Sequence, residues 1–254
     1  MKKYDIVISI VTYNSPIDFI KSIIFEIKKI NNLNVCIVII DNASNNDYFK
    51  KLINLDAYII SAGKNFGYGV ANNFVNNISF KSKYFLVLNP DIKITSSVIF
   101  ELFNFMEKNL NYSILSPLLK NENNKYYNIF RDNFSFFNLL NRRIKKIDDT
   151  MSKNMLFNKI DYYSEIIDVK YISGSFMFFR RNSFNKIGGF NKTFFMYFED
   201  VEICDLFIKN NYKIGYLKNF ESIHLRNRES YRKIKSFLIH FYSWIKYKLY
   251  SRKI

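Results

Sequence analysis

The chain has 254 residues, 48% of them hydrophobic, enough for a sizeable core in one large α/β domain or two small ones and too many for a disordered chain. Seven Gly and three Pro exclude a fibrous repeat, and two Cys (Cys36 and Cys204) exclude a disulfide framework and point to a reducing compartment. Lys and Arg number 38 against 22 Asp and Glu, a net charge of +16 that predicts a polyanionic partner: nucleic acid, an anionic membrane or a phosphorylated substrate. Part of that charge is compositional, because 33 Asn, four Ala and no Gln are the usage of strongly AT-rich coding.

After the basic start, the first apolar run, Ile6 to Val11, ends at the polar Thr12-Tyr13-Asn14, too short for a secretory signal. No stretch approaches the roughly 18 apolar residues of a membrane span. The expectation is a cytoplasmic protein, or one peripheral to the inner face of the cell membrane.

Ile6 to Val11 is a β-branched run of the kind buried on both faces of a parallel sheet. Ser15-Pro16 opens a helix whose apolar positions Phe19, Ile20, Ile23, Ile24 and Ile27 recur at helical spacing. A second strand, Asn34 to Ile40, closes on Asp41-Asn42-Ala43-Ser44. An amphipathic helix near Tyr48 to Leu55 leads to a short strand at Ala57 to Ser61. A helix over Val70 to Ile78 precedes a fourth strand, Tyr84 to Leu88, and another helix spans about Ser96 to Asn109.

This alternation predicts a Rossmann-like, mostly parallel sheet flanked by helices, with ligands beyond the carboxyl ends of its strands. Residues 120–165, rich in Asn and Lys, read as a partly helical insertion. Pattern returns in a strand over Val169 to Phe179 that Ser173-Gly174-Ser175 interrupts. A turn at Gly188-Gly189-Phe190, a helix over Glu199 to Lys209 and a short strand at Lys213 to Leu217 follow. From Ser230 to Ile254 the chain is a basic, aromatic helix.

Three acidic sites stand at strand or helix ends. Asp41 directly follows a buried strand and is either a ligand contact or a turn residue. Asp91, on the Pro-containing turn Leu88-Asn89-Pro90-Asp91, is well placed to hold a divalent cation against a diphosphate. Glu199, Asp200, Glu202 and Asp205 put four acids within seven residues of a basic chain, a negative pocket that suits a general base, or a helix start that caps itself. His224 is a structural histidine or, beside a carboxylate-bound metal, a ligand.

In order, these segments resemble the inverting family 2 glycosyltransferases, in their rhamnosyltransferase-like branch. The resemblance rests on Val11-Thr12-Tyr13-Asn14-Ser15, Ile40-Asp41-Asn42-Ala43-Ser44, Gly63-Lys64-Asn65-Phe66-Gly67-Tyr68-Gly69, Leu88-Asn89-Pro90-Asp91, Ser173-Gly174-Ser175, Gly188-Gly189-Phe190 and Phe195 to Cys204. It implies a GT-A fold over residues 1–229, with a nucleotide-binding half at 1–100, an acceptor and catalytic half at 165–229, and a separate tail at 230–254.

The resemblance also implies roles. Thr12 and Tyr13 line the base and ribose pocket, and Asp41 accepts the pyrimidine N3–H. Asn65 and Gly67 border the nucleotide, and Asn89 contacts sugar or ribose. Asp91 and His224 bind Mg²⁺ or Mn²⁺. Asp200 is the catalytic base, with Glu199 second, and Ser173, Gly174 and Ser175 shape the acceptor side. Where the family carries a glycine-rich run after its late His, this chain has Leu225-Arg226-Asn227-Arg228, so Arg226 and Arg228 are candidate diphosphate donors.

The expected donor is a dTDP- or UDP-sugar, with dTDP-rhamnose first, and the acceptor a glycan or lipid-linked glycan of bacterial surface-polysaccharide synthesis. The tail's stripe of Phe237, Leu238, Phe241, Trp244, Ile245 and Leu249, among Arg232, Lys233, Lys235, Lys246, Lys248, Arg252 and Lys253, suits an anionic membrane surface, the catalytic domain or a homodimer contact. A nucleotidyltransferase would want a Gly-rich basic loop after the first strand, which Val11 to Ser15 lacks. A nucleic-acid-binding module would interleave exposed aromatics with basic residues, whereas those of the first half sit in buried-looking runs.

Overall fold

In the computed structural model, residues 2–78, 80–130, 150–159, 161, 163–225 and 234–251 are described. The first β-branched run forms β1 (Lys3–Thr12), followed by α1 (Ile17–Lys28), β2 (Val35–Asp41), α2 (Asn46–Leu52) and β3 (Tyr58–Ser61). Then come α3 (Tyr68–Asn73), which runs into a 3₁₀ turn at Phe74–Asn77, β4 (Lys81–Leu88), β5 (Ile92–Lys93) and α4 (Ser96–Lys108). Every element expected before residue 109 is present, with ends shifted by up to a few residues. Asn45 caps α2 by accepting the Tyr48 N–H at 2.9 Å.

The second half supplies β6 (Tyr112–Lys120), β7 (Tyr126–Tyr127), β8 (Thr150–Met151), α5 (Lys153–Phe157), β9 (Ile166–Asp168) and β10 (Phe176–Arg180). It closes with α6 (Arg181–Ile187), α7 (Glu199–Lys209), β11 (Lys213–His224) and α8 (Ile234–Ser251). Within the expected insertion, β7, β8 and α5 are short, and residues 131–149 lie outside the described residues. Of the strand expected over Val169 to Phe179, only the part from Phe176 is strand (β10); Val169 to Ser175 is loop, and β9 lies just before it. The strand expected to stop at Leu217 continues to His224.

Among the described residues the main path of the sheet runs β3-β2-β1-β4-β10-β6-β11-β5. β1 to β4 pair in parallel, β10 enters antiparallel between β4 and β6, and β11 lies parallel to β6. One sheet therefore draws strands from both halves of the chain. Where β11 passes Pro117, which has no N–H to donate, pairing jumps from Leu217↔Pro117 to Glu221↔Leu118. That bulge carries the end of β11 across to β5, where His224 pairs with Ile92.

Alternation along β1 divides the core between two faces. Ile6, Ile8 and Ile10 pack with Ile20, Ile23 and Ile27 of α1 and with Val98, Leu102 and Met106 of α4. Val7 and Val11 face Ala71 of α3, Phe184 of α6 and Val201 and Phe207 of α7. Each such fully buried side chain contributes about 1.5–3 kcal/mol. Ser9, the polar member of the second face, donates to Asn72 Oδ1 at 2.7 Å, which docks α3 on the sheet.

Candidate active site

Thr12 and Asp41 end neighbouring parallel strands in register with each other. Asp41 is only 3% exposed, and its Oδ1 accepts the Ser44 N–H at 3.1 Å, which sets the carboxylate's orientation at the sheet edge. The Thr12 hydroxyl lies 2.6 Å from that of Tyr48, so Thr12 is a buried prop, while Tyr13, 58% exposed, presents its ring outward.

Asn42, which the sequence reading left without a role, clamps the neighbouring loop. Its Nδ2 donates to Asn65 Oδ1 at 3.0 Å and to the Gly67 carbonyl at 3.3 Å, and its Oδ1 accepts the Phe66 N–H at 2.9 Å. Gly67 has φ 84°, and a Cβ there would lie 1.8 Å from the Phe195 carbonyl oxygen. Tyr68 N–H donates to that same carbonyl at 3.0 Å. Only glycine allows the two loops to approach this closely.

Asp91 follows β4 on the Asn89-Pro90 turn, and the β11–β5 pairing delivers His224 beside it. Leu225 N–H donates to the Asp91 carbonyl at 2.8 Å, and His224 Nε2 lies 3.3 Å from Asp91 Oδ2. Among the described residues Asp91 Oδ1 is buried with no hydrogen-bond partner. A hard carboxylate oxygen in need of a partner, next to an imidazole nitrogen, fits Mg²⁺ or Mn²⁺. Among the described residues no group of three or more His, Cys, Asp or Glu could hold a metal. Other ligands would then come from water or substrate phosphate, as is usual for Mg²⁺.

The Ser173-Gly174-Ser175 loop joins this turn to the acidic helix. Asn89 N–H donates to the Ser175 carbonyl at 2.9 Å, Gly174 N–H donates to Asp200 Oδ2 at 2.9 Å, and Tyr68 OH donates to the Gly174 carbonyl at 2.8 Å. Asp200 Oδ2 also accepts from Tyr171 OH at 2.6 Å, and its Oδ1 accepts the Val201 N–H at 3.0 Å. Three donors therefore set the direction of this carboxylate.

The four acids expected to form one negative pocket are instead divided by their helix. Glu202 turns to the Asn191 side-chain amide at 3.0 Å, and Asp205 accepts from Tyr247 OH of α8 at 2.7 Å. Glu199, 5% exposed, packs beside Gly69, and its Oε2 is buried with no partner among the described residues. Burial, with the adjacent Asp200 charge, pushes the Glu199 carboxyl up to about 8. Ahead of them, Tyr197 and Phe198 have φ of 70° and 68°. Two successive left-handed non-glycine residues cost about 1–2 kcal/mol each, so packing must hold them.

The structure thus brings Asp91 and His224 together, and ties Asn89, Ser173, Gly174 and Ser175 to Asp200. Asp41, Asn65 and Gly67 form a second, adjoining wall. Arg226 and Arg228 lie outside the described residues. Tyr68 and Tyr171, which reach the loop and the Asp200 carboxylate, were missed as individual residues. Tyr68 lies between Gly67 and Gly69 in the glycine-containing motif, whereas Tyr171 carries no local signal.

The model of glycosyl transferase family 2 matches residues 7–188, and the chain belongs to that family. It is 29% identical over 223 residues to the low-salt glycan biosynthesis hexosyltransferase Agl10 of Haloferax volcanii, covering 87% of this chain and 67% of the relative. To the rhamnosyltransferase WbbL of Escherichia coli it is 26% identical over 197 residues, covering 72% and 68%.

Among solved structures it resembles GalNAc-T7 with UDP, GalNAc and Mn²⁺, at a TM-score of 0.63 and 14% identity over 89% of this chain and 44% of that one. It also resembles the mannosyltransferase PcManGT of Pyrobaculum calidifontis with GDP-Man and Mn²⁺, at a TM-score of 0.59 and 12% identity over 96% and 65%. The fold is accordingly the expected GT-A arrangement. This chain spans less than two thirds of the length of both structures.

Proposed function

We propose that this enzyme transfers a hexose with inversion from a dTDP- or UDP-sugar, rhamnose first among the candidates, to a hydroxyl of a glycan or lipid-linked acceptor. The observation that carries the reading is the meeting of Asp91 and His224, from opposite halves of the chain, at the sheet edge that also bears Asp41. Asp41 would accept the N3–H that both uracil and thymine offer and cytosine lacks, which leaves the dTDP and UDP donors open. WbbL, a rhamnosyltransferase, supports the rhamnose choice.

Asp200 takes the proton of the acceptor hydroxyl. The oxygen then attacks the anomeric carbon from the face opposite the diphosphate, and the sugar–phosphate C–O bond breaks with its electron pair leaving on the nucleoside diphosphate. Glu199, buried and biased toward its neutral form, is the poorer base. Its neutrality spares Asp200 a second negative charge at the same helix start. Asp91 and His224 would hold Mg²⁺ or Mn²⁺, which when bound supplies charge neutralisation for the leaving diphosphate. Tyr171 and Gly174 N–H keep the base aimed.

The acceptor side faces an anionic membrane in this reading. No described helix is long and apolar enough to cross a bilayer. Yet Leu238, Tyr242 and Leu249 stand 57%, 59% and 58% exposed along α8, and residues 230–254 hold seven Lys and Arg and no acid.

A thermal-shift titration with dTDP, UDP, GDP and CDP, each with and without Mn²⁺, tests the nucleotide site. The expected result is metal-dependent stabilisation by dTDP or UDP, about 2.7 kcal/mol at a hundredfold excess over Kd, lost in Asp91→Ala and weakened in Asp41→Ala. Asp200→Asn should keep that binding and lose roughly 10²- to 10⁴-fold in kcat. No stabilisation by any of the four would overturn the reading.

A further inference from the structure

The inner face of α8 is bound to the segment that launches Asp200. Ser243 Oγ, buried, donates to the Met196 carbonyl at 2.8 Å, and Lys246 Nζ donates to the Thr193 carbonyl at 2.7 Å. Tyr250 OH lies 3.0 Å from Thr193 Oγ1, and Tyr247 OH donates to Asp205 Oδ2 on α7. The Tyr247 ring stacks on Phe198 at 5.3 Å, and the His240 ring lies 4.6 Å from that of Tyr197. Apart from the Asp205 bond, these contacts converge on residues 193–198, which include the left-handed pair Tyr197 and Phe198.

Phe198 is the residue from which α7 starts, and its own side chain makes no cap hydrogen bond. A pair in an unfavourable conformation, three and two residues before the base, stays in place only if neighbours over-determine it. α3 meets the segment through the Tyr68 N–H bond to the Phe195 carbonyl. From the other side α8 supplies hydrogen bonds to the segment's carbonyls, a hydroxyl contact and ring contacts from His240, Tyr247 and Tyr250.

We propose that α8 is a tether for the catalytic segment, in which Ser243 and Tyr247 act as positioning residues that fix the direction of Asp200 without touching substrate. The proposal rests on the assignment of Asp200 as the base. Its consequence is that the tail governs the chemical step rather than donor binding. A base displaced by about 1 Å can lose up to a hundredfold in rate while the nucleotide wall of β1 and β2 is unchanged and the Gly67 loop keeps its Asn42 clamp.

The experiment compares the full chain with Ser243→Ala, Tyr247→Phe, Tyr247→Ala and the double variant Ser243→Ala/Tyr247→Ala. Donor turnover is measured with water as acceptor, and hydrogen exchange is followed across residues 193–204 without substrate. Expected are faster exchange in that segment and a graded fall in kcat, smallest in Tyr247→Phe, which keeps the ring on Phe198, and tenfold or more in the double variant. Donor KM should stay within about twofold.

Unchanged exchange would overturn the tether whatever the donor. Faster exchange with unchanged kcat would overturn the positioning role and leave α8 a structural brace. A fall in kcat matched by an equal rise in KM would do the same. If the unaltered protein turns over no nucleotide sugar, the transferase reading fails, and the exchange measurement still decides the tether.

Discussion

Glu199 and Asp200 are adjacent, yet the fold treats them differently. Among the described residues Asp200 has three hydrogen-bond donors, whereas Glu199 has a buried oxygen with none. The native state therefore holds the Glu199 proton more tightly than the unfolded chain, raising its pKa from 4.5 to about 8. The stability this contributes is fully present below 4.5 and is lost as pH rises through about 8. Glu199→Gln should flatten the fall in stability between pH 5 and 8, gaining about 2 kcal/mol or more on the unaltered protein at pH 8.5. Urea unfolding at pH 5.5, 7 and 8.5 checks this, and an unaltered pH slope in the variant would count against it. Glu202 and Asp205, also raised by burial, leave a residual slope of the same sign.

At the level of elements, Gly63 and Gly67 separate two effects. Both have positive φ, but a Cβ at Gly63 would meet nothing within 4 Å among the described residues, while one at Gly67 would strike the Phe195 carbonyl. Gly63→Ala should cost about 1 kcal/mol from backbone strain alone. Gly67→Ala should cost about 3 kcal/mol or more and weaken nucleotide-dependent stabilisation, because the two loops must part. Thermal unfolding of both variants, with and without the nucleotide, is the check, and equal costs would remove the contact argument. β6 shows why some elements were illegible. Its Pro117 argues against a central strand, and only the matching bulge in β11 makes the proline tolerable.

Across the whole molecule, α8 has two faces with different work. The inner one grips residues 193–198, while Leu238, Tyr242 and Leu249 remain outside on a basic helix. Burying two leucines in a bilayer interface is worth about 1.5–3 kcal/mol each. Leu238→Glu/Leu249→Glu should thus reduce co-sedimentation with phosphatidylglycerol-containing vesicles by tenfold or more and leave nucleotide stabilisation intact. Binding of the unaltered protein should weaken as salt rises. Equal partition onto neutral and anionic vesicles would remove the electrostatic part of this reading.

The sequence by itself determined the strand–helix alternation through residue 109, because apolar period and turn residues are local properties. It also showed the motifs at the strand ends and an amphipathic tail. It did not show that β10 reverses direction between β4 and β6, since strand order depends on pairing between distant segments. The family resemblance put Asp91 and His224 on one metal, and only the tertiary structure showed how the chain brings them side by side, through a bulge opposite a proline. The structure also separated the acids of residues 199–205 by burial and by partners from other elements. Burial, hydrogen bonding and the approach of two backbones are properties of pairs of residues, and a single sequence records only one member of each pair at a time.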